Sequence, residues 1–134
     1  MSNQYKVQCD CGSVEVSMVG VPKVHAYCHC EDCRDLLKIP YHSVTAWNQD
    51  QVKIEAGADS LLEYQHPDKE MKRFFCQHCG ETLFNSNAMD WRIVSQNLLT
   101  KCYGGELPEA LRSQSHFYYG RRIVDIDDDL PKHD

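Results

Sequence analysis

The chain has 134 residues, of which 42% are hydrophobic and 25% are charged, and this ordinary globular mixture argues against a disordered or fibrous protein. The net charge of −6 lacks the basic excess of a typical nucleic-acid-binding protein, and no apolar stretch is long enough to cross a membrane. We therefore expect neither nucleic acid nor a membrane as a partner, and the length predicts a single domain over residues 1–134.

Short runs of alternating polar and apolar residues predict a mostly β protein with many short strands. In chain order the runs lie at residues 13–18, 41–47, 52–55, 61–65, 71–75, 91–95, 116–119 and 122–126. Helix signals are few: one or two turns at 32–38, and a second short segment at 108–113 with Pro108 near its first turn. The acidic run at 125–129 is interpreted as a solvated tail rather than a site for a hard cation.

Eight cysteines are the unusual feature of this short chain. The first residues show no apolar segment typical of a secretory signal, so we expect a cytoplasmic protein in a reducing compartment. Cysteines in that setting more often bind a metal or do chemistry than form disulfides. The missing signal disfavours a disulfide framework, and the lack of a βαβ pattern disfavours a redox dithiol.

The cysteines fall into three clusters and one singleton. The clusters are Cys9 with Cys11, then Cys28, Cys30 and Cys33, then Cys76 with Cys79, and Cys102 stands alone. Cys-x-Cys and Cys-x-x-Cys spacings let two thiolates from one tight turn reach the same ion, and zinc takes four ligands at tetrahedral corners. Gly12 and Gly80 each follow a pair, where glycine permits the positive φ of such a turn.

Joined, the first and third clusters complete a four-thiolate site, which predicts a closed, structural zinc. The middle cluster then offers three ligands and an open position, as catalytic zinc sites do. His25, His29 or Cys102 could close that position and make the site purely structural. Cys102 itself is interpreted as a small buried hydrophobic residue.

Three linked motifs occur in order: Cys-x-Cys-Gly at 9–12, Cys-His-Cys-x-x-Cys-Arg at 28–34 and Arg-x-Phe-Cys-x-x-Cys-Gly at 73–80. With Leu130-Pro131 near the C-terminus, they resemble the glutathione-dependent formaldehyde-activating enzyme family over roughly residues 5–131. The resemblance implies a β-tent-like fold of packed antiparallel sheets with little helix. It implies two zinc ions per chain, a structural one on Cys9, Cys11, Cys76 and Cys79 and a second, labile one on Cys28, Cys30 and Cys33.

Members of that family are carbon–sulfur lyases that condense glutathione with formaldehyde to S-hydroxymethylglutathione. The resemblance therefore implies a small-molecule thiol and an aldehyde as partners, with Cys28, Cys30 and Cys33 acting through their zinc. We expect that zinc to hold the substrate thiol as a thiolate. Glutathione carries two carboxylates, so basic residues should line its site. The candidates are Arg34, which adjoins a ligand, and further away Lys38, Arg73, Arg121 and Arg122.

Two segments depart from the family pattern: residues 35–40, where a glycine is usual, and 121–124, where a tryptophan often precedes the last strand. Residues 35–40 border the presumed open site, so we expect these departures to affect substrate choice more than fold. The competing interpretation is a non-catalytic, zinc-stabilised binding module with the same fold. In that case the protein itself would close the fourth position of the middle cluster.

Overall fold

The computed structural model describes residues 3–134, and over that range the protein is mainly β, with ten strands and two short helices. The strands are β1 (Gln4–Gln8), β2 (Glu15–Val19), β3 (Val24–Cys28), β4 (His42–Trp47), β5 (Val52–Ala56), β6 (Leu61–Gln65), β7 (Lys72–Cys76), β8 (Thr82–Ser86), β9 (Arg92–Ser95) and β10 (His116–Phe117). The helices are α1 (Glu31–Leu37) and α2 (Gln96–Cys102). Neither of these two helices in the described range is long and apolar enough to span a membrane.

The strands form two sheets. The small sheet has the order β1-β2-β5, and the large sheet has the order β10-β3-β4-β9-β8-β7-β6. Neighbouring strands are antiparallel except for the short β10, which runs parallel to β3. The expected mainly β fold of packed sheets is therefore confirmed, with one parallel edge strand that the sequence did not indicate.

The main core lies between the two sheets. In β1, Tyr5 and Val7 point inward while their neighbours are exposed, which is the period-two pattern of a half-buried strand. Trp47 and Val94 from the large sheet pack into the same cluster, and Leu99 of α2 covers one end. Burying such side chains contributes roughly 1.5–3 kcal/mol each.

The opposite face of the large sheet, which we call the outer face, is set by strand register. Directly opposed residues of an antiparallel pair project to the same side, and so do alternate residues of one strand. The pairs Cys28–His42, Ala46–Ile93, Ile93–Asn85 and Asn85–Arg73 therefore share this face. The outer face consequently carries one cysteine of the middle cluster together with three polar side chains.

Most predicted strands are present, and the deviations have physical causes. The segment 122–126 is not a strand, because the Tyr119 hydroxyl bonds the backbone of Ile126 and holds the chain in an irregular turn. The sequences of β3 and β8 show no sustained alternation of polar and apolar residues, because these strands are partly or fully buried on both faces. The predicted helix at 108–113 is only a 3₁₀ turn at Glu109–Leu111. The sequence did not indicate α2, which is capped by Ser95, whose hydroxyl accepts from Asn97 N–H at 3.1 Å.

Candidate functional site

Cys9, Cys11, Cys76 and Cys79 come together as one group, the four-cysteine cluster. Their sulfur atoms all lie within 4.8 Å of one another. The Cys9–Cys11 and Cys11–Cys76 sulfur separations are 3.7 and 3.6 Å. Sulfurs at tetrahedral corners about 2.3 Å from one zinc ion would be about 3.8 Å apart, so this donor set fits such an ion.

Two glycine turns shape the four-cysteine cluster. Gly12 and Gly80 have φ values of +79° and +77°, the left-handed conformation that the sequence predicted for them. In each turn the glycine N–H bonds the carbonyl of the first cysteine, at 2.9 Å to Cys9 and 2.8 Å to Cys76. Backbone N–H groups also approach the sulfurs, as Val14 does to Cys9 at 3.3 Å. The turns therefore orient the thiols toward one another.

Cys28, Cys30 and Cys33 form the second group, the three-cysteine cluster, whose sulfurs also lie within 4.8 Å of one another. Cys28 ends β3, Cys30 caps the N-terminus of α1, and Cys33 sits in the first turn of that helix. The Cys28–Cys33 sulfur separation is 3.8 Å, again the spacing of tetrahedral corners. Thus a strand end and one helical turn supply three ligands from six consecutive residues.

The three thiols share their protons unequally. Hydrogen bonds from Cys28 and Cys33 lower the pKa of Cys30 far below its ordinary value. Hydrogen bonds with Cys28 and Cys30, together with burial, raise the pKa of Cys33. The three sulfurs therefore interact strongly through hydrogen bonds, as expected of donors gathered close enough to share one cation.

Over residues 3–134, no fourth histidine, cysteine or carboxylate atom joins the three-cysteine cluster. The residues that could have closed it are occupied elsewhere. His25 Nδ1 lies 2.7 Å from the carbonyl of Arg112, and the Cys102 sulfur lies 3.4 Å from the backbone N–H of Gln8. His29 points away from the sulfurs, into a buried chain of hydrogen bonds described next.

His29, His116 and Asp128 form this buried chain behind the three-cysteine cluster. His29 Nε2 lies 2.9 Å from His116 Nδ1, and His116 Nε2 lies 2.8 Å from Asp128 Oδ2. Both imidazoles are fully buried, between the rings of Tyr27, Tyr41 and Tyr119. Because His29 lies between two cysteines of the cluster, the chain fixes the backbone that presents them.

Asp128 sets the direction of the hydrogen bonds. Lys132 and His116 lower the pKa of Asp128 to about 2, so its carboxylate is ionised and accepts hydrogen bonds from Lys132 Nζ and His116 Nε2. His29 Nε2 and His116 Nδ1 share the next hydrogen bond of the chain. Burial lowers the pKa of His29, and its Nδ1 is buried with no partner in residues 3–134.

The interpretation of residues 125–129 as a solvated tail is therefore wrong for Asp128. Its side chain is 29% exposed and bonds both His116 and Lys132, while Asp125, Asp127 and Asp129 are exposed as expected. Asp128 reaches His116 because of the tertiary fold. β10 carries His116 beside β3, and the segment after β10 folds back over it, so that His116 N–H donates to the Pro131 carbonyl at 2.8 Å.

Comparison with known proteins identifies the chain. The profile of the family described as glutathione-dependent formaldehyde-activating enzyme matches residues 4–121, which include both cysteine clusters. The chain belongs to this family. The family has a formaldehyde-activating function in general terms, and its thiol and aldehyde substrates agree with the partners that the motifs implied.

The formaldehyde-activating fold has a relative among solved structures. The crystal structure of a Rhodobacter sphaeroides protein superposes with a TM-score of 0.51 at 22% sequence identity, covering 77% of this chain and 97% of that chain. At this identity the likeness supports the fold alone. A search of curated proteins finds no match.

Arg34, the predicted substrate-binding residue of this formaldehyde-activating family member, lies beside the three-cysteine cluster. Its guanidinium donates to the backbone carbonyls of Arg121 at 3.1 Å and His29 at 3.4 Å. Arg73 differs, because its Nε is buried and has no hydrogen-bond partner within the described range. Its guanidinium lies over the Phe75 ring, with 4.8 Å from Cζ to the ring centroid.

Sequence reasoning missed three polar residues of this region: His116, Asp128 and Asn85. The sequence places His116 in a predicted strand, where a histidine is usually an ordinary core or surface residue, and Asp128 in an acidic run. Asn85 lies in a fully buried part of β8, where its Oδ1 has no partner in residues 3–134. A buried asparagine inside an apolar strand is the one local signal that could have attracted notice.

Proposed function

We propose that this protein is a zinc-dependent carbon–sulfur lyase that joins a thiol, such as glutathione, to formaldehyde or a related aldehyde. In the forward direction the thiol S–H adds across the aldehyde C=O. A carbon–sulfur bond forms, the C–O π bond opens, and the thiol proton ends on the oxygen as a hydroxyl. The reverse reaction cleaves the carbon–sulfur bond. The observation that carries this proposal is the three-cysteine cluster without a fourth donor among the described residues.

Thiolate ligands at tetrahedral spacing fit zinc in both clusters. The structural ion would bind Cys9, Cys11, Cys76 and Cys79, and the catalytic ion would bind Cys28, Cys30 and Cys33. When bound, zinc at the second site lowers the pKa of a coordinated substrate thiol and so supplies a nucleophile near neutral pH. The three thiolates outnumber the two charges of the ion. This ligand charge favours holding the thiol over strong activation of the carbonyl.

The chain's own residues would bind and orient the thiol. Glutathione has two carboxylates, which match guanidinium groups. Arg73 supports this role because a buried, unpartnered N–H is costly unless a ligand accepts from it. Arg34 remains the candidate closest in sequence to the cluster, and we propose that it turns its free N–H groups to the substrate while its backbone bonds hold the loop.

The first test measures metal content and rate together. We expect about two zinc ions per chain by elemental analysis, with one lost in Cys30→Ser, whose half-buried side chain can change without collapse of the core. The exchange rate between glutathione and its formaldehyde adduct, measured by NMR exchange spectroscopy, should exceed the uncatalysed rate. The rate should return to that background in Cys30→Ser.

Cys102→Ser is the matched control, because it removes a thiol outside both clusters. It should keep both ions and the full exchange rate. If wild type binds two ions but accelerates no thiol–aldehyde pair, the enzyme assignment fails and the binding-module alternative replaces it. If Cys30→Ser keeps both ions, the assignment of ligands to two separate sites is wrong.

A further inference from the structure

A cavity of about 390 Å³ lies between the α1–β4 connection and the strands β8 and β9, and the start of α2 covers one end. Leu37 and Ile39 line one side, and Phe84, Ile93 and Leu98 line the other. Polar and charged residues also line it, namely His42, Glu81, Thr82, Asn85, Ser95, Asn97 and Lys101. Apolar side chains still supply most of the exposed wall, as is usual in a small-molecule site, and His42 and Asn85 are the two polar residues that matter for the argument below.

The cavity adjoins the three-cysteine cluster, although none of the three cysteines lines it. Leu37 packs against that cluster and also lines the cavity. His42 lies directly opposite Cys28 in the β3–β4 pair and projects to the same outer face. Side chains of such a pair have Cβ atoms roughly 4.5–5.5 Å apart, so the cavity begins within one side chain of a cluster ligand.

The size and walls do not suit a one-carbon substrate. Formaldehyde has two non-hydrogen atoms, and a water molecule occupies about 30 Å³ of liquid volume, so formaldehyde would fill only a small part of 390 Å³. The apolar walls instead stabilise an apolar group buried between them, and the affinity for a ligand should rise about fourfold for each methylene added to it.

The charges also exclude an ionic occupant. Lys101 is the single cation that lines the cavity in the described range, and its Nζ already bonds both carboxylate oxygens of Glu81, at 2.6 and 2.7 Å. No free cation is therefore directed at a carboxylate here. The carboxylates of glutathione would have to lie elsewhere, and the cavity would hold a neutral group.

The two polar residues are buried and incompletely bonded. His42 and Asn85 are 5% and 1% exposed, and His42 Nδ1 and Asn85 Oδ1 have no hydrogen-bond partner in residues 3–134. Buried polar atoms of this kind cost stability unless a ligand bonds them. An acceptor such as Asn85 Oδ1 calls for a hydroxyl, and the addition of a thiol to an aldehyde creates one.

We propose that this cavity binds the apolar substituent of the aldehyde, so that the preferred carbonyl substrate is a neutral aliphatic aldehyde of several carbons and not formaldehyde. The inference rests on the proposed thiol–aldehyde addition at the three-cysteine cluster. Bonds form and break as in that addition, and the new hydroxyl donates to Asn85 Oδ1. Asn85 is then a residue that favours the adduct over the free aldehyde, which can only accept.

A binding experiment tests the cavity without catalysis. Alcohols from methanol to hexan-1-ol present a hydroxyl and a growing apolar chain, and their affinities are measured by NMR titration of the metal-loaded protein. We expect the affinity to rise about fourfold per methylene up to hexan-1-ol. Ile39→Trp should fill the cavity and weaken hexan-1-ol binding about tenfold or more, whereas Val21→Trp, at a site 73% exposed on the small-sheet side, should change nothing.

Asn85→Leu separates a ligand role from a structural one. Removing an unpartnered buried acceptor should raise the Tm of the free protein by a few degrees, yet weaken hexan-1-ol binding about fivefold. A lower Tm with unchanged binding would assign Asn85 to the core and overturn its ligand role. Equal affinity for methanol and hexan-1-ol would overturn the cavity proposal as a whole.

A kinetic experiment then separates this inference from the function on which it rests. With glutathione as the thiol, kcat/KM should rise at least about tenfold from formaldehyde to hexanal, and Ile39→Trp should abolish that rise. If formaldehyde reacts and hexanal does not, the aldehyde assignment is wrong while the proposed function stands. If a hexyl thiol with formaldehyde reproduces the gain, the cavity belongs to the thiol. If no pair is accelerated, the proposed function fails and the substrate assignment with it.

Discussion

The four-cysteine cluster and the three-cysteine cluster use the same ligand atom in very different surroundings. Cys9 and Cys76 belong to the main core between the sheets, and their cluster joins the β1–β2 connection to the β7–β8 connection. The three-cysteine cluster lies beside the outer face and packs against Leu36, Leu37 and Met71, and its Cys28 also packs against the small apolar group of Val44, Ala46 and Ile93. The first cluster is thus part of the main core, while the second stands beside a cavity.

This difference shows how one chemistry can serve two purposes. Four thiolates close the coordination sphere of an ion and cross-link distant parts of the chain, so they act on stability. Three thiolates from six consecutive residues cross-link very little, and they leave a position for substrate. Their orientation depends instead on a second layer of bonds, from His29 through His116 to Asp128.

The largest effect is expected from Cys11→Ser. Cys11 is exposed, so the substitution removes a ligand with little change in packing. Structural zinc contributes roughly 10–16 kcal/mol in apparent terms, comparable with the stability of a whole domain, so the variant should lose more than about 4 kcal/mol or fail to fold. Denaturant unfolding measures this loss, and Cys102→Ser, as control, should stay within about 1 kcal/mol. A similarly small change in Cys11→Ser would remove the structural role of this cluster.

The next effect concerns the buried histidines. His116→Ala leaves His29 Nε2 buried without its hydrogen-bond partner and opens a cavity, so the free energy of unfolding should fall by about 3 kcal/mol. The charge-transfer and d–d absorption of Co²⁺ at the three-cysteine cluster should also change, while that of the four-cysteine cluster should not. His133→Ala, at an exposed histidine nearby, should leave both spectra alone. Identical spectra in His116→Ala would show that the histidine chain does not position the cluster.

A smaller effect follows from the pH dependence of His42. Burial lowers the pKa of His42 from 6.5 to about 4, so the folded state favours the neutral form. The resulting stability is complete above pH 6.5 and is lost as the pH falls toward 4, which amounts to about 2 kcal/mol between pH 7.5 and pH 5. The unfolding free energy of wild type minus that of His42→Leu should fall by that amount as the pH drops from 7.5 to 5, and protonation of the cysteines cancels in the subtraction. A difference that is constant with pH would contradict a buried, neutral His42.

The smallest effect on stability should come from removing metal at the three-cysteine cluster. With a chromogenic zinc chelator in excess, one ion per chain should leave at least about tenfold faster than the other, because its site has three protein ligands. The free energy of unfolding should fall by only about 1–2 kcal/mol after this first step. Cys30→Ser should lack the fast phase. Release of both ions in a single phase would mean that the two clusters are equally closed.

Much of both metal sites could be predicted from the sequence, because their ligands lie within short motifs. The spacing of Cys9 and Cys11, followed by Gly12, defines a turn, and counting ligands pairs it with Cys76 and Cys79. Alternating polar and apolar residues likewise predicted β2, in which Val16 and Met18 are buried. These features depend on neighbours a few residues apart, which a sequence displays directly.

The histidine chain could not be predicted, because its members meet only in the folded protein. His29 and His116 lie 87 positions apart, and they touch because β10 adds to the edge of the large sheet in parallel with β3. Asp128 joins them through an irregular segment without any motif. The cavity is equally tertiary, since its walls come from α2, β8, β9 and the α1–β4 connection. These contacts depend on the order of the strands in the sheet and on where the C-terminal segment folds back, and neither is visible in a local sequence pattern.

The position of Asp128 along the chain has a consequence for biosynthesis. Every ligand of the four-cysteine cluster has been translated once residue 79 is made, whereas the core strands β8 and β9 and helix α2 follow it. The loop with Cys28, Cys30 and Cys33 is made earlier still, yet the carboxylate that completes its supporting bonds comes about 95 residues after Cys33. We therefore expect the three-cysteine cluster to gain its full support only when the C-terminal segment has been made, after the last strands of the core.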